Sequence, residues 1–266
     1  MGADRNEGEI TGVFGDSAHL VDLNGDVGEG VGNDSELVPL LSSVNIACGG
    51  HAGNLDVMRA TVRLAARRGV AVGAHPSYPD REHFGRHFMP MSDMEVEQCV
   101  ADQVRALAEV ASFERVPLCH VKPHGALYNV AATDTLVAHA IARAVASIDR
   151  RLVLVGLAGS ALIAAGTRNG LATASEVFAD RGYHPDGTLV GRETRGAVLL
   201  DPTVIVPRAI RMVLECRVTA IDGHDVAVRP DTICVHGDTP DAVAIAAALR
   251  RGLTDAGIQV GAFCRL

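Results

Sequence analysis

The feature that most limits how this chain can fold is its rhythm: short apolar runs alternate with amphipathic helical stretches along nearly its full length. Runs at 19–24, 44–48, 70–74, 118–122, 152–156, 171–174 and 232–236 have the length and character of strands. Most are followed by a helical pattern, and that order builds parallel sheets from βα units. One helix is predicted from the capping-box spacing of Ser92 and Glu95 and the apolar stripe Val96, Val100, Val104, Leu107. A second takes Thr133 as its cap and continues through Leu136, Ala140 and Val145. A third starts at Thr239-Pro240 and runs through Ala247 and Leu249. The segment 217–229, RVTAIDGHDVAVR, reads instead as a small inserted β-hairpin turning at Asp222-Gly223. About seven βα units in 266 residues predict an α/β chain, a closed or nearly closed (β/α) barrel over 18–266, preceded by an N-terminal extension over 1–17.

Composition narrows the classes of function. With net charge −8, 3% aromatic residues and no Lys/Arg-rich tract, the chain lacks the clustered cations and stacking rings that nucleic acid requires. No nucleic-acid partner is expected. No apolar run approaches the roughly 18 residues that span a bilayer, and the polar, acidic start has no signal-peptide core. No membrane partner and a cytoplasmic location are therefore expected. The six cysteines include no C-x-x-C pair and read as free thiols. One count is sharper: Lys122 is the single lysine among many arginines. A compact ammonium can do what a guanidinium cannot, and its pKa moves when it is buried. A single lysine in that setting also excludes a Walker A nucleotide loop.

Alternate side chains of a strand point to opposite faces, and a barrel wants apolar groups on the face that meets its helices. Val21 and Leu23 then oppose Asp22, Asn24 and Asp26; Val44, Ile46 and Cys48 oppose Asn45, Ala47, Gly49 and His51. His75 shares a face with Gly73, Lys122 and His124 with His120, and Cys234 with His236 and Asp238. Ionisable groups from separate strands thus share the inner parity near the C-terminal ends, where parallel barrels build active sites. Other signals are weaker. His83 and His87 have the i, i+4 spacing of a zinc helix, but Gly85, Pro79 and Pro90 place them in a loop and count against metal binding. Gly28-Glu29-Gly30 with Gly32 lacks the full dinucleotide fingerprint and reads as a βα loop. Glu176, Asp180 and Arg181 follow a strand and suit either a surface ion pair or a substrate clamp.

In chain order, VDLNGDVGEG, SSVNIACGGHAG, VAVGAHPSYPD, HVKPHGALYN, EVFADRGY and ICVHGDTPDAV resemble the LamB/YcsF family from about residue 19 to the C-terminus. Strings such as KPHGALYN are distinctive. The resemblance implies a seven-stranded (β/α) barrel similar to the glycoside hydrolase/deacetylase barrels. It also implies a part in an ATP-dependent 5-oxoprolinase, which opens 5-oxo-L-proline to L-glutamate with hydrolysis of ATP. Partner subunits B and C, resembling parts of allophanate hydrolase, come with that activity, and ATP would be a co-substrate bound by them or shared with them. A divalent metal is neither required nor excluded. Gly25, Gly50, Asn54-Leu55, His83 and His87 stand where the family usually has Cys, Phe, Asp-Pro, Gly and Arg. Asn54 offers no carboxylate and is left out of the catalytic set.

A five-membered lactam is resonance-stabilised, so water attacks it poorly; phosphorylating the amide oxygen supplies a good leaving group. On this reading the catalytic residues are Asp22, His51, His75, Lys122 and His124. Asp22 or His51 would take a proton from water. Lys122 and His124 would stabilise charge on the oxygen or phosphoryl group. His75 or His236, oriented by Asp238, would protonate the ring nitrogen. Asn24 and Asn45 would recognise the amide and Arg181 the free carboxylate, with Glu176, Asp180, His236 and Asp238 completing the substrate-binding set. One alternative is a stand-alone metal-dependent amidohydrolase or deacetylase holding zinc through Asp22, His51 and His75. Another is a non-catalytic lactam or carbohydrate sensor using the same pocket.

Overall fold

A computed structural model describes residues 19–264; the extension expected over 1–17 lies outside the described residues. In chain order the elements are β1 (Leu20–Val27), α1 (Asp34–Leu37), β2 (Ser43–Ala47), α2 (Leu55–Arg68), β3 (Ala71–His75), α3 (Asp93–Phe113) and β4 (Leu118–Val121). They continue with α4 (Gly125–Thr133), α5 (Thr135–Ile148), β5 (Val153–Leu157), α6 (Ala161–Arg168), β6 (Thr173–Val177) and α7 (Pro202–Glu215). The chain ends through β7 (Arg217–Thr219), β8 (Asp225–Ala227), β9 (Thr232–Val235), α8 (Ala242–Asp255) and β10 (Gln259–Val260).

Strands β1 to β6 pair in sequence, β6 pairs with β9, and β9 pairs back with β1, all parallel. The result is a closed seven-stranded (β/α) barrel. β10 extends the edge beside the start of β1, with Leu20 opposite Gln259. Val21, Leu23, Val44, Ile46, Val72, Val121, Leu154, Val177 and Ile233 form the outward strand faces and lie buried under helix residues such as Val62, Val104, Leu107 and Ile141. Each such side chain contributes roughly 1.5–3 kcal/mol by leaving water. Inside, Val153, Val155, Ala174 and Phe263 make a separate small floor. The chain beyond β10 delivers Phe263, whose ring centroid lies 5.2 Å from that of His120. One end of the barrel is thereby plugged, which leaves the C-terminal strand ends as the open mouth.

Local chemistry explains where boundaries differ from those expected. β1 runs on to Val27 because β9 and β2 hold its two edges as far as Gly25 and Val27. β6 begins two residues later than predicted, since Leu171 is still tied to Gly166 in the turn closing α6. Thr133 ends α4; the cap of α5 is Asp134, whose carboxylate accepts from the Leu136 and Val137 amides. Thr239 and Pro240 lie in a turn, and α8 starts after a left-handed Asp241. The Ser92–Glu95 capping box forms, as does the hairpin β7–β8, with Arg217 opposite Ala227. Gly73 faces His120 across the β3–β4 register; a Cβ there would lie 2.0 Å from the imidazole Nε2. Only glycine leaves that ring room to cross the interior. Among the described residues no helix is long and apolar enough to cross a membrane.

Candidate active site

Polar residues fill the barrel in layers above the Phe263 floor. Asp22 lies low, accepting from the hydroxyls of Ser42, Ser43 and Thr232. Burial lifts its carboxyl to about 6 against the pull of those three donors. Above it, Asn24 donates to Glu176 (2.9 Å) and Thr232 (2.7 Å), while Asn45 donates to Asn24 Oδ1 (2.7 Å) and Asp26 Oδ1 (2.8 Å). His120 Nε2 donates to Asn45 Oδ1 at 2.8 Å, and burial with the nearby Lys122 charge pushes that imidazole down to about 3. These side chains bond to one another, with Glu176 Oε2 and His120 Nδ1 left without a partner among the described residues, and Asp22, Asn24, Asn45 and Glu176 do not line the cavity above. They form its foundation.

On that foundation stands Lys122. Its Nζ lies 3.0 Å from Asp26 Oδ1, 2.9 Å from Glu176 Oε1, 3.3 Å from Asn24 Oδ1 and 3.0 Å from Cys234 Sγ. Burial works against the ammonium, yet Asp26, the Cys234 sulfur and Glu176 hold its pKa well above the ordinary lysine value. Its pKa does move in the buried setting, but upward, and the residue is a fixed cation. Burial also opposes charge on Asp26, but His75 and Lys122 keep its carboxyl well below the usual range. Asp26 shares the inner parity of Asp22 and Asn24 and could have been found from it.

At the mouth, Glu29, His51, His75 and His124 bring one ligand atom each to within 4.8 Å of one another. His51 and His124 stack with centroids 3.7 Å apart, and His51 Nε2 is 3.0 Å from Glu29 Oε1. Burial, with His75 alongside, pushes His51 down to about 3 and holds His124 well below the usual imidazole range. Burial and the Asp26 and Asp238 charges lift Glu29 to about 9.

The surrounding carbonyls fix where two of these rings carry their protons. A backbone carbonyl only accepts, so His75 places its Nδ1–H on Lys122 O (2.8 Å) and His124 its Nε2–H on Phe84 O (2.9 Å). The remaining nitrogens, His75 Nε2 and His124 Nδ1, face each other at 3.0 Å. With both rings neutral, two lone pairs meet, with carboxylate oxygens of Asp26 and Glu29 at 3.4 and 3.5 Å. Such a contact requires a shared proton or a cation. Imidazoles oriented by carbonyls and joined by a carboxylate are suitable donors for a divalent metal.

The cavity above has a volume of about 320 Å³ and is walled by Asp26, Glu29, His75, Arg86, Lys122, His124, Arg181, Arg192, His236 and Asp238, among others. Of the residues singled out from sequence, it gathers His75, Lys122, His124, Arg181, His236 and Asp238. His51 belongs to the same cluster but faces an adjoining opening lined by Gly28, Gly30, Asn54 and Phe84. Asp180 stands behind His236, its Oδ2 3.0 Å from Nδ1. Arg181 gives Nη2 to Val190 O at 2.6 Å. Asp238 pairs with Arg86, and among the described residues no hydrogen bond joins it to His75 or His236. Glu29, Arg86 and Arg192 are loop residues, and no strand or helix period marks them.

Comparison with known proteins agrees with this architecture. The chain is 55% identical over 245 residues to a protein of Chloroflexus aggregans named as the A subunit of 5-oxoprolinase, covering 90% of this chain and 97% of that one. The crystal structure of a lactam utilization protein from Thermus thermophilus superposes with a TM-score of 0.86 at 45% identity, covering 91% of this chain and 99% of its own. A deacetylase solved with substrate superposes with a TM-score of 0.50 at 16% identity, covering 91% and 87%, and shares the barrel. Residues 21–266 match a single family throughout. The chain belongs to the LamB/YcsF family.

Proposed function

We propose that this chain is the A subunit of an ATP-dependent 5-oxoprolinase and that its cavity is where the activated lactam ring is opened. The observation that carries the reading is the convergence of a fixed ammonium, a low-pKa carboxylate and the imidazoles of His75, His124 and His236 around a cavity of about 320 Å³. That convergence occurs in a chain so similar to proteins named for this activity. Transfer of a phosphoryl group from ATP to the lactam oxygen makes its carbon electrophilic. One water adds there and the C–N bond breaks, leaving an acyl phosphate and a free amine; a second water releases phosphate and L-glutamate. The sole lysine is buried at the end of β4 and follows no Gly-rich loop, so partner subunits B and C are the natural holders of ATP. Dependence on ATP assigns the work to the cytoplasm.

Residue roles follow from position. The Lys122 ammonium stabilises negative charge on the reacting oxygen or phosphoryl group and stays protonated while doing so. Arg181 and Arg192, which also line the cavity, suit the free carboxylate of the substrate. His236, backed by Asp180, is placed to protonate the departing ring nitrogen. His75 and His124, which line the cavity with Lys122, take the task first assigned to Asp22 or His51, since Asp22 lies too deep and His51 faces the adjoining opening. Glu29, His51, His75 and His124 would hold a divalent metal, which would supply Lewis acidity and a lowered water pKa.

That cluster also favours a second reading, a stand-alone metal-dependent amidohydrolase. One experiment separates the two: reconstitute the chain with subunits B and C and follow glutamate release from 5-oxoproline with and without ATP. Release only with ATP and all three subunits supports the proposal. Amide cleavage by the isolated chain without ATP establishes the second reading.

A further inference from the structure

We propose that Asp80, His83 and His87, on the outer side of the loop between β3 and α3, form a second divalent transition-metal site that clips this loop over the mouth. The three ligand atoms lie within 4.8 Å of one another. The His83 and His87 rings stack with centroids 3.9 Å apart and planes 18° from parallel. Asp80 Oδ1 lies 2.9 Å from His83 Nδ1, while Asp80 Oδ2 is buried without a hydrogen-bond partner among the described residues. A buried, unpartnered carboxylate oxygen beside two accessible imidazoles is a donor set lacking its acceptor. Two nitrogens and one oxygen suit zinc, with water completing the shell on the exposed side.

No helix brings the two histidines together. Phe84 (φ 57°) and Gly85 (φ 67°) are both left-handed, and the Gly85 amide donates to Asp80 O (2.7 Å) while the Arg86 amide donates to His83 O (3.1 Å). The chain therefore reverses between residues 83 and 87, and both rings emerge on the same side. The segment is the loop that Gly85, Pro79 and Pro90 implied, and its turn brings together the i, i+4 pair that a zinc helix would have aligned.

The residues inside this turn reach the mouth. Phe84 packs edge-on against His51 and His124, with its carbonyl fixing the His124 tautomer. Gly85 O accepts from the first turn of α4 (Ala126 amide, 2.9 Å), and Arg86 pairs with Asp238. A metal on the outer side would tie the two ends of the turn together and add its binding free energy to the loop conformation that covers the cavity.

The test uses the full chain and zinc alone. Zinc bound at equilibrium is measured by dialysis and elemental analysis for the wild type, for a His83→Asn/His87→Asn double variant and for His224→Asn. His224 is an exposed histidine beside one aspartate, without a third ligand. The double variant is expected to lose one equivalent while His224→Asn loses none, with thermal melts of the metal-free proteins unchanged. Equal stoichiometry in the wild type and double variant, or equal loss in both variants, overturns the proposal. A second readout is tryptic cleavage after Arg81 and Arg86, both exposed in this loop. Zinc should slow it at least tenfold in the wild type and not in the double variant; equal rates in both overturn the clip. Neither readout depends on turnover, so this site stands or falls apart from the lactam reading.

Discussion

Replacing Asp22 with Asn separates a structural acid from a catalytic one. The carboxyl is fully buried, and its pKa rises from 3.8 to about 6 because burial outweighs the hydroxyls of Ser42, Ser43 and Thr232. A shift of that size corresponds to about 3 kcal/mol of linkage between protonation and folding. The sign follows from which state holds the proton longer. Here the folded state does, so the penalty is absent well below pH 3.8, grows as the pH rises, and is complete above pH 6. Asn carries no charge to bury, so the stability difference, variant minus wild type, should rise by roughly 1.4 kcal/mol between pH 5 and pH 8. Any cost of orienting the new amide is constant over that range and drops out of the slope. Urea denaturation of both proteins at half-unit intervals measures it. A pH-independent difference would refute the reasoning, since it would mean Asp22 is already ionised in the fold at pH 5. Because Asp22 lies beneath the Asn24–Glu176 layer, the variant should keep turnover within about threefold in the reconstituted complex; a hundredfold loss with folding intact would return Asp22 to the chemistry.

Four further outcomes follow. Lys122→Met strands Asp26 and Glu176 without their shared cation, and should cost about 3–5 kcal/mol in urea denaturation and at least a hundredfold in glutamate release. Lys122→Arg keeps the charge but not the compact contact geometry; undiminished turnover with it would remove Lys122 from the mechanism. Gly73→Ala drives a methyl into the His120 ring and should destabilise by about 1–3 kcal/mol, read as a lower thermal midpoint, whereas a neutral result would show that His120 can swing aside. His51, His120 and His124 are held neutral by burial, two of them with pKa near 3, while the unfolded chain takes up protons near pH 6.5. Folded pKa values below the unfolded one mean stability is lost as pH falls, by about 1.4 kcal/mol per group per unit below pH 6.5. Raised Asp22 and Glu29 recover part of that stability over the same range, so chelator-treated protein should show urea midpoints that fall only modestly from pH 7 to pH 5; midpoints that rise would refute the neutral state of these rings.

The barrel was legible because its signal is repetitive. Val21 and Leu23 against Asp22 and Asn24, or Val121 against His120 and Lys122, carry strand parity in consecutive residues, and closure of the sheet turns that parity into inside and outside. Depth was not legible. Parity placed Asp22, Asn24, Asn45 and Lys122 on one face, but only the register of Asp22 opposite Thr232 and Asn24 opposite Ser43 shows which of them lie under the cavity and which reach it. Loop residues were hidden for a different reason. Glu29 lies two residues beyond β1, and Arg86 sits in a turn whose left-handed residues have no period; their approach to His51 and Asp238 exists only once the loops converge. The helix starts at Asp134 and Asp241 were misplaced because neighbouring Thr and Pro also suit a cap, and tertiary packing chose between them.

The polar layers beneath the cavity constrain the chemistry as much as the cavity does. Barrels of this kind ordinarily fill their interior with branched aliphatic side chains. This one packs Asn24, Asn45, Glu176 and His120 at that depth, each bonded to another, and together with Asp26 they fix the position and the charge of one ammonium. A lysine held in this way cannot act as a proton carrier, because both neighbouring carboxylates would have to lose their countercharge when it deprotonates. In the proposed reaction its contribution would be a cation aimed at a set point, where preorganised charge stabilises a developing anion without reorganising. On the proposed reading, proton transfer then falls to the imidazoles at the rim, His236 backed by Asp180 on one side and the His75–His124 pair on the other. This division predicts that rim substitutions reshape the pH profile of turnover, while Lys122 substitutions lower it without moving its inflections.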